Sequence, residues 1–271
     1  MSLQVTIPNE WQKIAPINVG YTAGIETTRV APEWIQKSAE MDRIIVVSNH
    51  AKEVFENTQY DIMDRNTDQK VGVAKCEVPV TAVNYPVKSF DPVDLELEFN
   101  SDFNLLCVAQ WGPRKNVPNT LRWFIEEFQD DSDVGLILKV FHMNTSNMDR
   151  TFVVNQLSEA LDAFPDCKCK IHLLHGHMSD AEMHSLYSHP QVKGLLTLTH
   201  GEGFGLPIFE AAYNGLPILA PAWSGQMDFL FAPSNSKKSN KLRPHFLKID
   251  HDIVEIPEDV VWDGVLTRGS G

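Results

Sequence analysis

Residues 199–215 are Thr-His-Gly-Glu-Gly-Phe-Gly-Leu-Pro-Ile-Phe-Glu-Ala-Ala-Tyr-Asn-Gly. The apolar run 194–198 just before this stretch predicts a buried strand. Pro207 is typical of a first helical turn, and Gly215 favours the left-handed backbone conformation that ends a helix. A glycine-rich turn between a strand and a helix leaves backbone N–H groups unpaired, here at 203–205. Such amides bind anions, so the stretch predicts a phosphate site.

Two glutamates lie in this stretch. Glu202 is in the glycine-rich turn, and Glu210 is inside the otherwise apolar helix predicted over 206–214. Burying a carboxylate is costly unless it has a partner, which favours hydroxyl groups of a ligand. The alternative interpretation is structural: Glu210 pairs with the scaffold, and the glycines only pack the helix against the strand.

The stretch resembles the signature of the retaining nucleotide-sugar glycosyltransferases of the GT-B fold, family four. That signature is Glu-Gly-Phe-Gly-Leu-Pro followed by a second Glu, with seven residues between the two acids, and every position is met here. The resemblance implies that Glu202 is catalytic, contacting the donor sugar at the reaction centre, and that Glu210 binds the ribose hydroxyls. It also implies that the diphosphate is held by the amides of Gly203, Phe204 and Gly205.

A second motif follows the predicted strand Phe103–Gln110, where residues 108–116 are Val-Ala-Gln-Trp-Gly-Pro-Arg-Lys-Asn. It resembles the family's phosphate-binding turn, in which an Arg and then a Lys grip the donor diphosphate. Lys115 matches the Lys, whereas Gln110 stands at the Arg position and departs from the pattern. Arg114 is the nearby cation that would have to replace that Arg. The alternative is that Arg114 and Lys115 are a solvated helix start, although cations are unfavourable at a helix N-terminus.

Strands and helices alternate from residue 103 onward, which predicts a parallel, doubly wound, Rossmann-like sheet with its ligand at the carboxyl ends of the strands. We assign residues 99–271, the second half, to this nucleotide-sugar-binding domain. The predicted elements are strands Phe103–Gln110, Val134–Phe141, Lys170–His175, Lys193–Thr199 and Leu216–Pro221, and helices Asn116–Asp130, Thr151–Phe164, Ser179–Ser188 and 206–214.

The sequence of residues 1–98, called here the first half, predicts a smaller and incomplete α/β unit. Its predicted strands are Val5–Ile7, Asn18–Thr22, Arg43–Ser48 and Glu77–Val80, with helices Ala31–Glu40 and His50–Asn57. Residues 42–51 resemble the closing part of the family's N-terminal, acceptor-binding domain. A complete domain of this kind needs roughly 150 residues, and the tail 256–271 lacks the long helices that cross back in this fold. We therefore expect a truncated sequence, whose isolated activity is uncertain.

Composition excludes several classes of protein. A net charge of −13, without a basic stripe, argues against nucleic-acid binding. The four cysteines show no paired spacing and indicate reduced thiols of a cytoplasmic protein. No apolar run approaches the ~18 residues of a membrane span.

The histidines do not predict a metal site. His175 and His177 alternate at the end of a predicted strand, but no carboxylate follows at ligand spacing, and the resemblance implies a reaction without metal or cofactor. Glu26, in the region that faces the cleft in the family, is a weak candidate for an acceptor contact.

The expected function is transfer of a sugar, with retention, from a UDP- or GDP-linked donor to an unknown acceptor. Two alternatives stay open: a non-catalytic nucleotide-sugar-binding module, favoured by Gln110 and the short first half, and a nucleotide-sugar epimerase of the same fold. Glu202 and Glu210 are disfavoured as the catalytic pair of a glycoside hydrolase. Eight helical positions separate two residues by ~12 Å along the helix axis, which exceeds the separation of the two carboxyl groups in such hydrolases.

Overall fold

The structure is a computed structural model that describes residues 1–233 and 242–271. The first half contains a four-stranded, fully parallel sheet with strand order β1-β2-β3-β6, and a separate antiparallel hairpin, β4-β5. In chain order its elements are β1 (Ser2–Val5), β2 (Asn18–Thr22), α1 (Pro32–Ser38), β3 (Arg43–Val46), α2 (Asn49–Asn57), β4 (Gln59–Met63), β5 (Lys70–Lys75) and β6 (Val80–Ala82).

Local chemistry explains the helix starts in this half. Pro32 occupies the first turn of α1, where its missing N–H costs nothing. The hydroxyl of Ser48 accepts from the Ala51 amide at 3.1 Å and caps α2. Both helices bury an aromatic residue, Trp34 and Phe55, whose rings stack with centroids 6.1 Å apart. A compact core therefore supports this short sheet.

The second half contains a six-stranded, fully parallel sheet with strand order β14-β11-β10-β7-β8-β9. Its elements are β7 (Phe103–Gln110), α3 (Val117–Phe128), β8 (Val134–Phe141), α4 (Asn147–Asp162), β9 (Lys170–Leu174), α5 (Asp180–Tyr187), β10 (Val192–Leu196), α6 (Leu206–Tyr213), β11 (Ile218–Pro221), α7 (Met227–Leu230), β12 (Phe231–Pro233), β13 (Leu242–Pro244) and β14 (Leu247–Ile249).

Helices cover both faces of this sheet. On one face α3 and α4 contribute Leu121, Phe124 and Leu157 to a core with β7 and β8. On the other face α5 and α6 contribute Leu186 and Ile208 to a second core. The predicted fold class, an α/β protein with a Rossmann-like doubly wound parallel sheet and a smaller α/β unit before it, is confirmed.

Some element positions differ from the prediction. Strand β1 lies earlier than the predicted Val5–Ile7, and β6 lies later than the predicted Glu77–Val80. Helix α4 starts four residues before the predicted Thr151, because the Ser146 hydroxyl accepts from the Asp149 amide and caps an earlier turn. The hairpin β4-β5 was not predicted, since its mostly exposed strands lack a strong apolar alternation.

The tail returns to the first half without a long helix among its described residues 242–271. The Trp34 indole N–H donates to the Gly264 carbonyl at 2.9 Å, and the Gly271 amide donates to the Thr28 hydroxyl at 2.8 Å. Ser270 is fully buried. The described part of the tail therefore contacts the first half through irregular backbone.

One carboxylate links the two halves beside the cleft. Asp228 in α7 accepts from the Asn49 amide at 2.9 Å, from the Asn49 side chain at 3.2 Å and from the Asn84 side chain at 2.8 Å. Nearby, the His50 ring meets the Trp223 ring edge-on, with centroids 4.9 Å apart. The start of α2 is therefore tied to the loop that follows β11.

Within residues 1–233 and 242–271, no helix combines the length and the apolar composition that crossing a membrane would require.

Candidate functional site

The signature turn, defined here as residues 199–205, connects β10 to α6 at the carboxyl edge of the six-stranded sheet. Gly205 precedes α6 with a left-handed backbone (φ +93°) and offers no side-chain cap. Within the described chain no acceptor is found for the amides of residues 203–205, which are buried. These amides are placed as an anion site requires.

The glycines of the turn are needed for its close approach to the first half. A Cβ on Gly201 would lie 2.0 Å from the Glu26 carbonyl oxygen, and one on Gly203 would lie 2.1 Å from the Ala23 carbonyl oxygen. A Cβ on Gly225 would in turn lie 2.1 Å from the Gly203 carbonyl oxygen. The turn is thus pressed between the first half and the loop after β11, and side chains are excluded for packing reasons alone.

Glu202 lies buried between two cations. Its carboxylate accepts from the Lys115 ammonium at 2.5 Å and from the Arg114 guanidinium at 3.2 Å, and only 6% of the residue is exposed. The Glu202 amide donates to the Ser224 hydroxyl at 2.9 Å. Because its carboxylate is paired with two cations and its backbone is tethered, Glu202 is held in a fixed orientation.

Arg114 lies between this carboxylate and the first half. Its guanidinium donates to the Gly201 carbonyl at 2.9 Å and lies 3.6 Å from the Glu26 carboxylate. Burial raises the pKa of Glu26, and the Glu202 carboxylate acts in the same direction, against the attraction of Arg114 and Lys115. Arg114 therefore connects Glu202 to Glu26, the residue that was only a weak candidate from sequence.

A pocket of about 380 Å³, called here the larger pocket, opens at the carboxyl ends of β7, β8 and β9. It brings together three of the residues identified from sequence: Gln110, Lys115 and Glu210. The exposed Gln110 side chain donates to the His142 carbonyl at 2.8 Å, so it braces the loop after β8. Gln110 thus has a structural partner, and it has no charge with which to replace the phosphate-binding Arg found at this position in the family that the motif resembles.

Glu210 faces this pocket from the second turn of α6. The Tyr187 hydroxyl donates to its carboxylate at 3.1 Å. Burial raises the pKa of Glu210, an effect that the Tyr187 hydrogen bond opposes and nearby Asp180 reinforces. Glu210 also lines a neighbouring cavity of about 220 Å³ beside Pro86. The carboxylate is therefore only partly satisfied by the scaffold and has room beside it for further donors.

The histidines after β9 have a structural partner. His175 lies 2.8 Å from the Asp149 carboxylate, which also accepts from the amides of residues 142–144. Asp149 is 26 residues from His175 in sequence, and the fold brings α4 beside the end of β9. Burial would raise the pKa of Asp149, but these hydrogen bonds hold it below its usual range. No group of three or more metal-binding side chains occurs in the part of the chain that the structure describes.

Sequence reasoning missed Lys139 and Tyr187. Lys139 left a signal, since it is the one charged residue in the apolar strand Val134–Phe141. Tyr187 left no signal, because its role depends on a residue distant in sequence. Ser224 follows β11 with φ +66°, and its hydroxyl donates to Gln226 while accepting from the Glu202 amide.

The fold is the GT-B fold of glycosyltransferases. An α,α-trehalose-phosphate synthase (UDP-forming) from Burkholderia vietnamiensis is 9% identical, with a TM-score of 0.51 over 79% of this chain and 53% of that one. The Staphylococcus aureus protein TarM, in a complex that includes UDP, is 13% identical, with a TM-score of 0.51 over 87% of this chain and 41% of that one. The apo structure of OtsA is 12% identical, with a TM-score of 0.54 over 79% and 54%.

A curated relative adds a sequence match. The serotype-specific mannosyltransferase WbdA of Escherichia coli is 29% identical over 116 residues, which are 43% of this chain and 13% of that protein. The chain therefore aligns with about an eighth of this relative's length. No protein-family model matches the chain.

Proposed function

We propose that the protein is a glycosyltransferase that moves a sugar from a UDP- or GDP-linked donor to an acceptor hydroxyl, with retention and without a metal ion. The observation that carries the proposal is the position of Glu202. In the signature turn its buried carboxylate is paired with Lys115 and Arg114, and Lys115 also lines the larger pocket. The mannosyltransferase match and the fold of the UDP-forming synthase support the same class of reaction.

In the proposed complex the donor diphosphate lies at the start of α6, against the amides of residues 203–205 and the Lys115 ammonium. The bond between the anomeric carbon and the diphosphate oxygen breaks, and its electron pair stays on the diphosphate. Lys115 and the amides stabilise that developing charge, which is the task that a metal ion would otherwise perform. Glu202 contacts the sugar as positive charge develops at the anomeric carbon.

The acceptor approaches from the first half. Its hydroxyl oxygen forms the new bond to the anomeric carbon, and its proton passes to an oxygen of the departing diphosphate. Glu26 lies beside the cluster of Glu202 and Arg114 with a raised pKa. A carboxyl group at this place can form a hydrogen bond with a sugar hydroxyl. We therefore assign Glu26 to the acceptor side.

Gln110 supports a second candidate, a module that binds a nucleotide sugar without turnover. The family's Arg is absent, and the Gln110 side chain is engaged with the His142 carbonyl. Such a module would keep Lys115, the amides and Glu210 as ligands but would stabilise the leaving group less.

The test combines binding with turnover. A panel of UDP and GDP sugars is titrated calorimetrically, and release of the nucleoside diphosphate is followed with mixed sugar acceptors. Glu202→Gln is the inactive control. Binding with release that disappears in Glu202→Gln supports the enzyme, whereas binding with equal, background release from both proteins supports the module. Absence of binding to every nucleotide refutes both.

A further inference from the structure

Lys139 is a buried lysine that the proposed reaction does not use. It lies in β8, whose other residues are apolar, and only 9% of it is exposed. Its ammonium donates to the carbonyl oxygen of Gly176, the one acceptor found for it among the described residues. An ammonium has three N–H donors, so this contact leaves donor capacity at a group that is costly to bury.

Lys139 lines the larger pocket. Burial lowers the pKa of Lys139, an effect that Glu182 opposes. The pocket wall combines apolar side chains, among them Val108, Met178 and Met183, with polar ones such as Lys139. A pocket of this composition can hold a nucleobase.

Strand order places Lys139 away from the phosphate end. The signature turn follows β10 and Lys115 follows β7, whereas Lys139 and Gly176 belong to β8 and to the loop after β9, on the other side of the pocket. Glu210 projects from α6 towards Tyr187 of α5. Lys139 lines the same pocket as Lys115 and Glu210, so a donor held by those two residues can place its base against Lys139.

We infer that Lys139 selects the nucleobase by donating to a keto oxygen, O4 of uracil or O6 of guanine. This inference rests on the proposed function. At the same position cytosine and adenine carry an amino group, which donates hydrogen bonds. An amino group facing an ammonium leaves both donors without an acceptor, and an unsatisfied buried donor opposes binding.

The experiment titrates UDP, GDP, CDP and ADP calorimetrically into the wild-type chain. The diphosphate is common to all four, so differences in affinity report on the base. We expect UDP or GDP to bind about tenfold or more tightly than its amino counterpart, CDP or ADP, the scale of a hydrogen bond to a charged donor. A wild-type preference for CDP and ADP overturns the inference.

Two variants then assign the preference to Lys139. Lys139→Met removes the donors while keeping the length of the side chain, and it is expected to bring the affinity ratio between keto and amino bases close to one. Lys139→Gln offers both a donor and an acceptor, so it is expected to narrow the ratio while retaining a bond to Gly176. Lys168→Met, at an exposed position before β9, is the matched control and keeps the wild-type ratio. Thermal melting identifies which variants are folded.

The outcomes separate the inference from the function. If the wild type binds none of the four diphosphates, the proposed function fails and the inference falls with it. If the wild type discriminates and a folded variant at position 139 keeps the same ratio, the inference alone is wrong. If a Lys139 variant loses the same affinity for all four diphosphates, the inference is also overturned, because Lys139 then contacts the phosphates or supports the fold.

Discussion

Substitution of Gly203 by alanine tests the packing of the signature turn. The new Cβ would lie 2.1 Å from the Ala23 carbonyl oxygen, whereas ordinary contacts begin at 3.4 Å. The turn and residue 23 would have to separate by roughly 1 Å, and both are backbone, which cannot rotate away as a side chain can. Gly203 has no left-handed φ, so the effect is purely steric.

The expected loss is at the upper end of overpacking effects, about 3 kcal/mol in the free energy of unfolding. For a chain of this size that corresponds to a melting temperature roughly 6–12 °C lower. Gly201→Ala should behave similarly, because its Cβ would lie 2.0 Å from the Glu26 carbonyl oxygen. The matched control is Gly112→Ala, which has open space around the new Cβ and an extended backbone at φ −160°.

Urea unfolding followed by circular dichroism gives the free energies, and calorimetry gives the melting temperatures. Gly112→Ala should be neutral or gain up to about 1 kcal/mol, because alanine reduces the entropy of the unfolded chain. The reasoning is refuted if Gly203→Ala stays within about 0.5 kcal/mol of wild type, or if both variants lose the same amount. Either result would mean that the turn and the first half are not in contact as described.

Three further predictions concern the charged groups. Lys115→Ala should weaken binding of a nucleoside diphosphate by about 1.5–3 kcal/mol in calorimetry, the scale of a charge-assisted hydrogen bond. The control Lys168→Ala, at an exposed position, should bind as the wild type does. Equal affinities of the two variants would contradict the role of Lys115. Glu210→Gln should weaken binding of the bare diphosphate, whereas Glu202→Gln should leave that binding near normal and depress turnover; comparable losses of diphosphate affinity would contradict this division. Because the pKa of Glu210 is raised, the folded chain holds this proton more tightly than the unfolded chain, so stability falls as pH rises from about 4.3 through the raised value. Glu210→Gln should remove that part of the pH dependence in urea unfolding at a series of pH values, and an unchanged profile would contradict it.

Local patterns predicted the second half well. The strand Phe103–Gln110 and the strand Val134–Phe141 have the predicted bounds, because continuous apolar runs bounded by polar turns specify buried parallel strands. Helix α5 begins with a capping box formed by Ser179 and Glu182, a pattern that the sequence itself contains. These features depend on neighbours in sequence.

The sequence named candidate residues for the site but did not predict which of them pair. The motif identified Glu202 and Lys115 separately, and their ion pair joins positions 87 residues apart. Arg114 was weighed as a phosphate ligand, yet its closest partners are Gly201 and Glu202. Such pairings depend on strand order and on how the halves meet, which no local pattern contains.

The Asp228 carboxylate has a consequence for the timing of the proposed reaction. Opening the cleft would remove three donors at once, two from Asn49 and one from Asn84, and would return them to water. These bonds are exposed, so the cost is modest, on the order of 1–3 kcal/mol in all. Even this amount slows opening by about fivefold or more, and in transferases whose product leaves through an opening cleft such a step can limit the turnover rate. The hydrogen bonds of Asp228 would then set the rate at which the nucleoside diphosphate product leaves the cleft.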